Sequence, residues 1–405
     1  MERSNSSEKV TETETPSFFT QEELSKLKSD FETGGLEKVQ SLIKKKITDL
    51  DKIELNIAVT GETGAGKSTF INAMRGLRNN DPGAAEVGTT ETTMEPTKYS
   101  HPTLPNVSYW DLPGIGSTRF VAAKYLTEIQ FQRYDFFIII SACRFKDNDV
   151  KLAREIKRLG KRFYFVRSKI DMDLHNTREE KVINEEEELK KIRNHCVRKL
   201  AEAGFPDSSV FLISGKKPTC FDFIQLNEGL EGDLNNVKKR IFVLALPKLS
   251  VEIVQKKSKI LSKHIWMFAT LSGGLGAVPV PGFSLACDIG ILIGAIVYFR
   301  KCLGLDDASL QRLASRVGKP VEELKATVKA PLLGEITPDV IMRLGWGAAA
   351  VTVSALEFVL NFVPVIGSIF GAGSSFLMTY KILSDALKNL TENAERVVEV
   401  AFETD

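Results

Sequence analysis

The sequence predicts a doubly wound α/β domain followed by an all-helical segment. Three observations carry this. Compact β-rich runs alternate with helical stretches from Ile53 to Ile213, a glycine-rich signature stands between the first run and a helix, and the strand signal stops near Leu230 while helical sequence continues to the end. Strands separated by helices must connect by crossovers, which gives a mainly parallel sheet covered on both faces.

The length of 405 residues allows two or three domains. With 43% hydrophobic and 26% charged residues the composition is that of a globular chain, which sets aside wholesale disorder and a polytopic membrane protein. A net charge of +2 selects no class of partner, and no interleaving of basic and aromatic residues points to nucleic acid. Five cysteines (Cys143, Cys196, Cys220, Cys287, Cys302) are scattered without CxxC or Cys/His spacing, so neither a disulfide framework nor a zinc site is expected and a reducing, cytoplasmic setting fits. The N-terminus has no apolar signal core, and Glu2 stands where myristoylation needs glycine.

Residues 1–16, rich in Ser, Thr and Glu, are expected to be a disordered tail, and residues 17–51 carry a helical spacing of apolar side chains. Residues 52–230 form the nucleotide-binding domain. Its strands are expected at Ile53 to Thr60, Val107 to Trp110, Phe136 to Ser141, Phe163 to Val166 and Val210 to Ile213. Residues 231–405 form the helical domain.

Gly61-Glu62-Thr63-Gly64-Ala65-Gly66-Lys67-Ser68 matches GxxxxGK[ST] in the strand-then-helix setting that the motif requires, with Thr69 following on the helix. Glycines let successive backbone N–H groups point at phosphates, and the helix adds its positive N-terminal end. Lys67 would neutralise the β and γ oxygens and Ser68 would ligate Mg²⁺. Asp111-Leu112-Pro113-Gly114 ends the next strand, where the carboxylate reaches the metal and the Gly114 N–H senses the γ-phosphate.

Ser168-Lys169-Ile170-Asp171 follows the strand Phe163 to Val166 and fits the guanine-reading pattern [NT]KxD, with serine in the first position. Asp171 can accept two hydrogen bonds that guanine offers and adenine does not. Lys169 would lay its stem along the purine. Ser214-Gly215-Lys216, after the strand Val210 to Ile213, stands where the last base-contacting loop belongs. Between helix and Asp111, Gly88-Thr89-Thr90-Glu91-Thr92-Thr93 occupies the place of the first switch. Any of its four threonines would complete the magnesium shell, and Thr93 is taken as the ligand. Gly114 is followed by Ile115, Gly116 and Ser117, so the glutamine that commonly orients the attacking water is absent. Slow intrinsic hydrolysis follows, with Glu91 as the compensating group or else a solvated switch residue.

These residues resemble the interferon-inducible immunity-related GTPases. The likeness rests on Gly61 to Ser68, Trp110-Asp111-Leu112-Pro113-Gly114-Ile115-Gly116, Tyr134 to Ala142, Phe163-Tyr164-Phe165-Val166-Arg167 and Gly304 to Leu310. The resemblance implies a Ras-like domain with a mixed, mostly parallel sheet, inserted between N- and C-terminal helical segments that pack together. It also implies GTP-dependent homodimers and oligomers, association with related GTPases, and cell-autonomous defence on the vacuole membranes around intracellular pathogens. Lys67 places the chain with the lysine-bearing, effector-type members, and Glu91 matches the family's switch glutamate linked to catalysis. The family's threonine before Lys-x-Asp is Ser168 here. A nucleotide-gated scaffold with incidental hydrolysis is the alternative, and an ATPase using Ser168 to tolerate adenine is a third.

Two apolar runs, Trp266 to Phe299 and Trp346 to Tyr380, are broken midway by the related strings Val278-Pro279-Val280-Pro281-Gly282 and Val363-Pro364-Val365-Ile366-Gly367. A spanning helix needs about 20 uninterrupted apolar residues. Helix breakers at both midpoints therefore favour buried hairpins over bilayer insertion. Lys256, Lys257, Lys259, Lys263 and His264 before the first run, with Arg300 and Lys301 after it, leave peripheral contact with anionic endomembranes open.

Overall fold

A computed structural model describes residues 53–88, 95–114, 122–143, 146–180, 182, 184–275, 283–328, 334–337, 340 and 371–403. The disordered tail, the helical segment at 17–51, Glu91, Thr93, most of the second apolar run and both Val-Pro strings lie outside the described residues.

The α/β part is a six-stranded sheet in the order β2-β3-β1-β4-β5-β6, formed by β1 (Leu55–Gly61), β2 (Thr97–Ser100), β3 (Val107–Asp111), β4 (Phe136–Ser141), β5 (Arg162–Arg167) and β6 (Val210–Leu212). All neighbours are parallel except β2, which runs antiparallel to β3. Strand β2, with the sequence Thr-Lys-Tyr-Ser, was absent from the sequence expectation. It lies at the sheet edge with its first residues exposed, so nothing forces an apolar run or a strict alternation onto it. The sheet is therefore mixed and mostly parallel.

Strand β1 is buried along its whole length because helices cover both faces. Ile57 and Val59 point into a core with Phe70 and Met74 of α1 (Lys67–Met74) and Phe223 of α6 (Phe223–Asp233). Ala58 points to the other side, toward Phe137, Ile139 and Phe165. There α2 (Ala122–Glu128), α3 (Asp147–Arg158), α4 (Ile170–Glu180) and α5 (Glu185–Glu202) follow their strands. Each such fully buried Val, Ile, Met or Phe side chain stabilises the fold by about 1.5–3 kcal/mol. The acidic run opening α5 is an exposed first turn capped by the Asn184 side chain, where carboxylates complement the helix dipole.

The remaining described elements are helical. α7 (Asn236–Ala245) lies against β1 and β3 and leads into α8 (Val251–Leu275), α9 (Phe283–Cys302), α10 (Asp307–Val317), α11 (Val321–Ala326) and α12 (Gly371–Phe402). α8, α9 and α12 pack on one another. The described part of the first apolar run is helical and contributes Met267, Ala269, Leu292, Ala295, Ile296 and Phe299 to the core, while Trp266 is exposed. Its charge, Asp288, accepts a 2.6 Å hydrogen bond from Ser272 Oγ, which in turn meets Thr379 Oγ1 at 2.7 Å. Among the described residues no helix is long and apolar enough to cross a membrane. The expected basic flank is only partly a surface: Lys256 pairs with Glu228 and Glu231, and Lys257 is buried. Arg78 Nη1 donates to Ser315 O at 2.8 Å and Arg316 Nη2 to Leu77 O at 3.0 Å, which tie the loop after α1 to α10.

Candidate nucleotide site

The loop from Gly61 to Lys67 is shaped by close approach and by left-handed backbone. Gly61 has φ +142°, and a Cβ there would lie 2.0 Å from the Ile140 carbonyl of β4. Gly64 and Gly66 have φ of +77° and +93°, values that a side chain would strain. Gly66 ends the turn at the start of α1, and no side chain caps that helix. Its first-turn N–H groups thereby remain available to an anion. Lys67 is buried and donates to the Gly61 and Glu62 carbonyls, each at 3.3 Å. Such contacts hold the ammonium over the loop it is expected to serve.

Ser68 Oγ donates to Asp111 Oδ2 at 2.9 Å, so the two expected metal ligands already meet. Asp111 is 1% exposed at the end of β3. The turn after it is braced by Tyr125 of α2, whose hydroxyl donates to the Pro113 carbonyl at 3.0 Å and meets Thr60 Oγ1 at 3.1 Å. Tyr125 went unnoticed in the sequence because an isolated tyrosine on a helix carries no signal of its tertiary partners. Burial raises its pKa and keeps the phenol a donor.

Ser168 is buried, and its Oγ donates to the Ala65 carbonyl at 2.6 Å and approaches the Ser141 carbonyl at 3.3 Å. A hydroxyl at this position therefore ties the base-side loop to the phosphate loop. Lys169 has φ +58°, a left-handed conformation costing a non-glycine residue on the order of 1–2 kcal/mol. The flanking bonds Ser168 N to Ser141 O at 2.9 Å and Ile170 N to Ile213 O at 3.2 Å impose it. Arg167 secures the loop from behind through the Ala142 and Ser168 carbonyls and Asp173. Asp171 lies in the first turn of α4.

A cavity of about 430 Å³ joins these pieces. Its wall contains Thr63, Gly64, Gly66, Lys67, Ser68 and Thr69 from the loop and helix, Asp111 and Gly114 from the β3 end, and Ser168, Lys169, Asp171 and Gly215 from the opposite side. Gly61, Glu62, Ala65 and Ser214 are not in the wall. Gly61 and Ala65 act through backbone packing, and Glu62 turns its carboxylate to Lys146. Ser214 is fully buried, and its hydroxyl accepts from Lys217 N at 3.1 Å, so it shapes the loop while Gly215 faces the cavity. Lys216 of the expected base-contacting loop also lines the cavity, as do Asn79 and Val87, which have no motif signature. The volume and the two-ended polarity, phosphate-type donors at one end and a carboxylate at the other, suit a nucleotide.

A family model described as "Interferon-inducible GTPase (IIGP)" matches residues 20–394. Interferon-inducible GTPase 5 of Rattus norvegicus is 39% identical over 398 residues, 98% of this chain and 86% of the relative. Interferon-inducible GTPase 1 of Mus musculus is 39% identical over 322 residues, 79% of this chain and 78% of the relative. T-cell-specific guanine nucleotide triphosphate-binding protein 2 of Mus musculus is 43% identical over 304 residues, covering 75% and 73%.

Proposed function

We propose, for a chain that belongs to the interferon-inducible GTPase family, that the cavity between Gly64 and Asp171 is its GTP site and that GTP drives self-assembly on intracellular membranes. The chain is a GTP-binding, GTP-hydrolysing immunity-related GTPase. The observation that supports the site assignment is the convergence of Lys67, Asp111 and Asp171 on one cavity.

In this reading the backbone N–H groups from Gly64 to Ser68 and the Lys67 ammonium hold the β and γ phosphates. Asp171 accepts from the guanine edge, while Lys169 lies along the base. Ser68 and Asp111, 2.9 Å apart, supply hard oxygen donors of the kind Mg²⁺ prefers, with Thr93 joining them. Bound magnesium would neutralise charge on the transferring phosphoryl group. Glu91 orients the attacking water when the switch is ordered by a second copy of the chain, so hydrolysis is slow in isolation. The helical part carries the peripheral contact with the membranes around intracellular pathogens.

Turnover measured against protein concentration tests this. Specific activity should rise with concentration, and Glu91→Ala should abolish the rise while leaving GDP affinity intact. Specific activity that stays flat over a hundredfold range of concentration removes the assembly claim.

A further inference from the structure

A second, smaller cavity lies where the C-terminal end of α1 meets the helical part. It measures about 70 Å³ and is lined by Arg75, Lys248, Lys257, Lys301, Arg312 and Arg316, together with His101 and neutral groups. No Asp or Glu is among its lining residues. Lys248 is 9% exposed and Lys257 is 4% exposed, yet neither forms a salt bridge among the described residues. Lys248 Nζ donates to the Gly304 carbonyl at 2.6 Å and Lys257 Nζ to the Cys302 carbonyl at 3.1 Å. An ammonium carries three donors, so each lysine retains capacity for a ligand.

Asp306 acts on Lys248 as well as capping α10, where its Oδ1 accepts from Ser309 N at 3.1 Å, and Asp81 pairs with Arg78, so one carboxylate opposes the six cationic side chains of the lining. Burial, reinforced by the neighbouring Lys257, pulls Lys248 down to about 7, and burial pulls Lys257 down to about 8. Gly304 makes the space: its φ is +64°, and a Cβ there would lie 2.6 Å from Lys248 Cε. Two lysines suffice to cap the end of α9, and Arg312 Nη2 donates to Ser309 Oγ at 2.8 Å, but neither role accounts for gathering six cationic side chains around one cleft. Concentrating cations in a partly desolvated cleft is costly unless an anion offsets them.

We propose that this cavity binds a phosphate-class oxyanion, held by Lys248, Lys257 and Arg312 with Lys301 at its mouth. A space of about 10–15 Å³ admits one water, so 70 Å³ accepts a single phosphate group and excludes a nucleoside. The site is separate from the nucleotide cavity: α1, eight residues and about 12 Å long, runs between Lys67 and Arg75. It stands whether or not the nucleotide roles above hold.

The test uses the full chain saturated with a non-hydrolysable GTP analogue and magnesium, so that phosphate cannot occupy the γ position. Inorganic phosphate is titrated calorimetrically against chloride at matched ionic strength near pH 7.5, in buffers of different ionisation enthalpy. Saturable one-site binding with net proton uptake is expected, weakened at least tenfold in the surface-side variant K301Q/R312Q. Gly304→Ala, which displaces Lys248, should weaken it as well. Vesicles of phosphatidylcholine with and without phosphatidylinositol 4-phosphate separate the sources. Capture that depends on Lys301 and Arg312 identifies a lipid headgroup, and phosphate binding without vesicle capture identifies a soluble anion. Phosphate that behaves as chloride does, or binds the K301Q/R312Q protein equally well, overturns the proposal.

Discussion

Ser168 Oγ donates to the Ala65 carbonyl at 2.6 Å, joining the loop that reads the base to the loop that holds the phosphates. The pair is separated by 103 residues in sequence, both members are buried, and Ser168 lines the cavity. Losing the hydroxyl takes this donor from the Ala65 carbonyl, while the Ser141 carbonyl keeps Ser168 N, and a lost buried hydrogen bond of this kind costs about 1–3 kcal/mol. Ser168→Ala should therefore lower the unfolding midpoint and weaken GDP several-fold, whereas Ser168→Thr keeps both. Chemical denaturation and GDP titration of the two variants check this, and equal behaviour of alanine and threonine would show that the bond is dispensable.

Gly61→Ala tests the close approach of β1 to β4. A methyl group 2.0 Å from the Ile140 carbonyl cannot be accommodated without moving the strand, and the backbone at φ +142° is unfavourable to any side chain. Strain plus overpacking predicts a loss of about 2–5 kcal/mol. Thermal unfolding followed by circular dichroism measures it, and a shift in Tm of under a degree contradicts the packing described.

Asp171→Ala removes the proposed acceptor for the guanine edge. A hydrogen bond to a charged group is worth about 1.5–3 kcal/mol, so GDP affinity should fall about 10- to 150-fold. Discrimination against ADP should collapse with it, because the phosphate end is untouched. Competition of GDP and ADP against a fluorescent nucleotide reads both. Unchanged discrimination places base recognition elsewhere.

Asp149, buried at the start of α3 and accepting from Lys146 N at 2.9 Å, is pushed up to about 7, chiefly by burial and further by Glu62. Its folded pKa lies above its unfolded one, so the folded state binds more protons between about pH 4 and 7 and loses stability as pH rises through that window. Asp149→Asn should remove this component and be the more stable protein at pH 8. Denaturation of both proteins from pH 5 to 8 checks the divergence, and parallel curves would overturn it.

Lys248 works in the opposite sense at higher pH. Its folded pKa is depressed to about 7 by burial, then by Lys257 and Arg312, with Asp306 opposing. The unfolded chain then binds more protons between about pH 7 and 10, so this group's contribution to stability rises with pH there. Lys248→Met should flatten the slope between pH 7 and 9.5. A slope unchanged in the variant assigns it to other groups.

Much of the α/β part was legible from residue pattern alone. Buried parallel strands such as Phe136–Ser141 must be continuous apolar runs, and the phosphate loop must be glycine where its backbone is left-handed or crowded, so both leave a mark in sequence. Strand β2 left none, because an exposed edge imposes no pattern. Asp111 and Asp171 were found because motif spacing encodes their strand-end positions. Tyr125, Asn79 and Lys146 were not, because their contacts depend on helices packing across the sheet.

The one-dimensional order of residues thus determined which chemistry is present: a glycine loop with its lysine, a strand-end aspartate and a base-side aspartate. Tertiary packing alone decided what neighbouring lysines do. Lys256 and Lys257 are adjacent and chemically identical, yet the first pairs with surface carboxylates and the second is sealed against the end of α9. The reason is geometric: successive residues on a helix diverge by about 100°, and only the packing of α8 against α9 determines which side meets water.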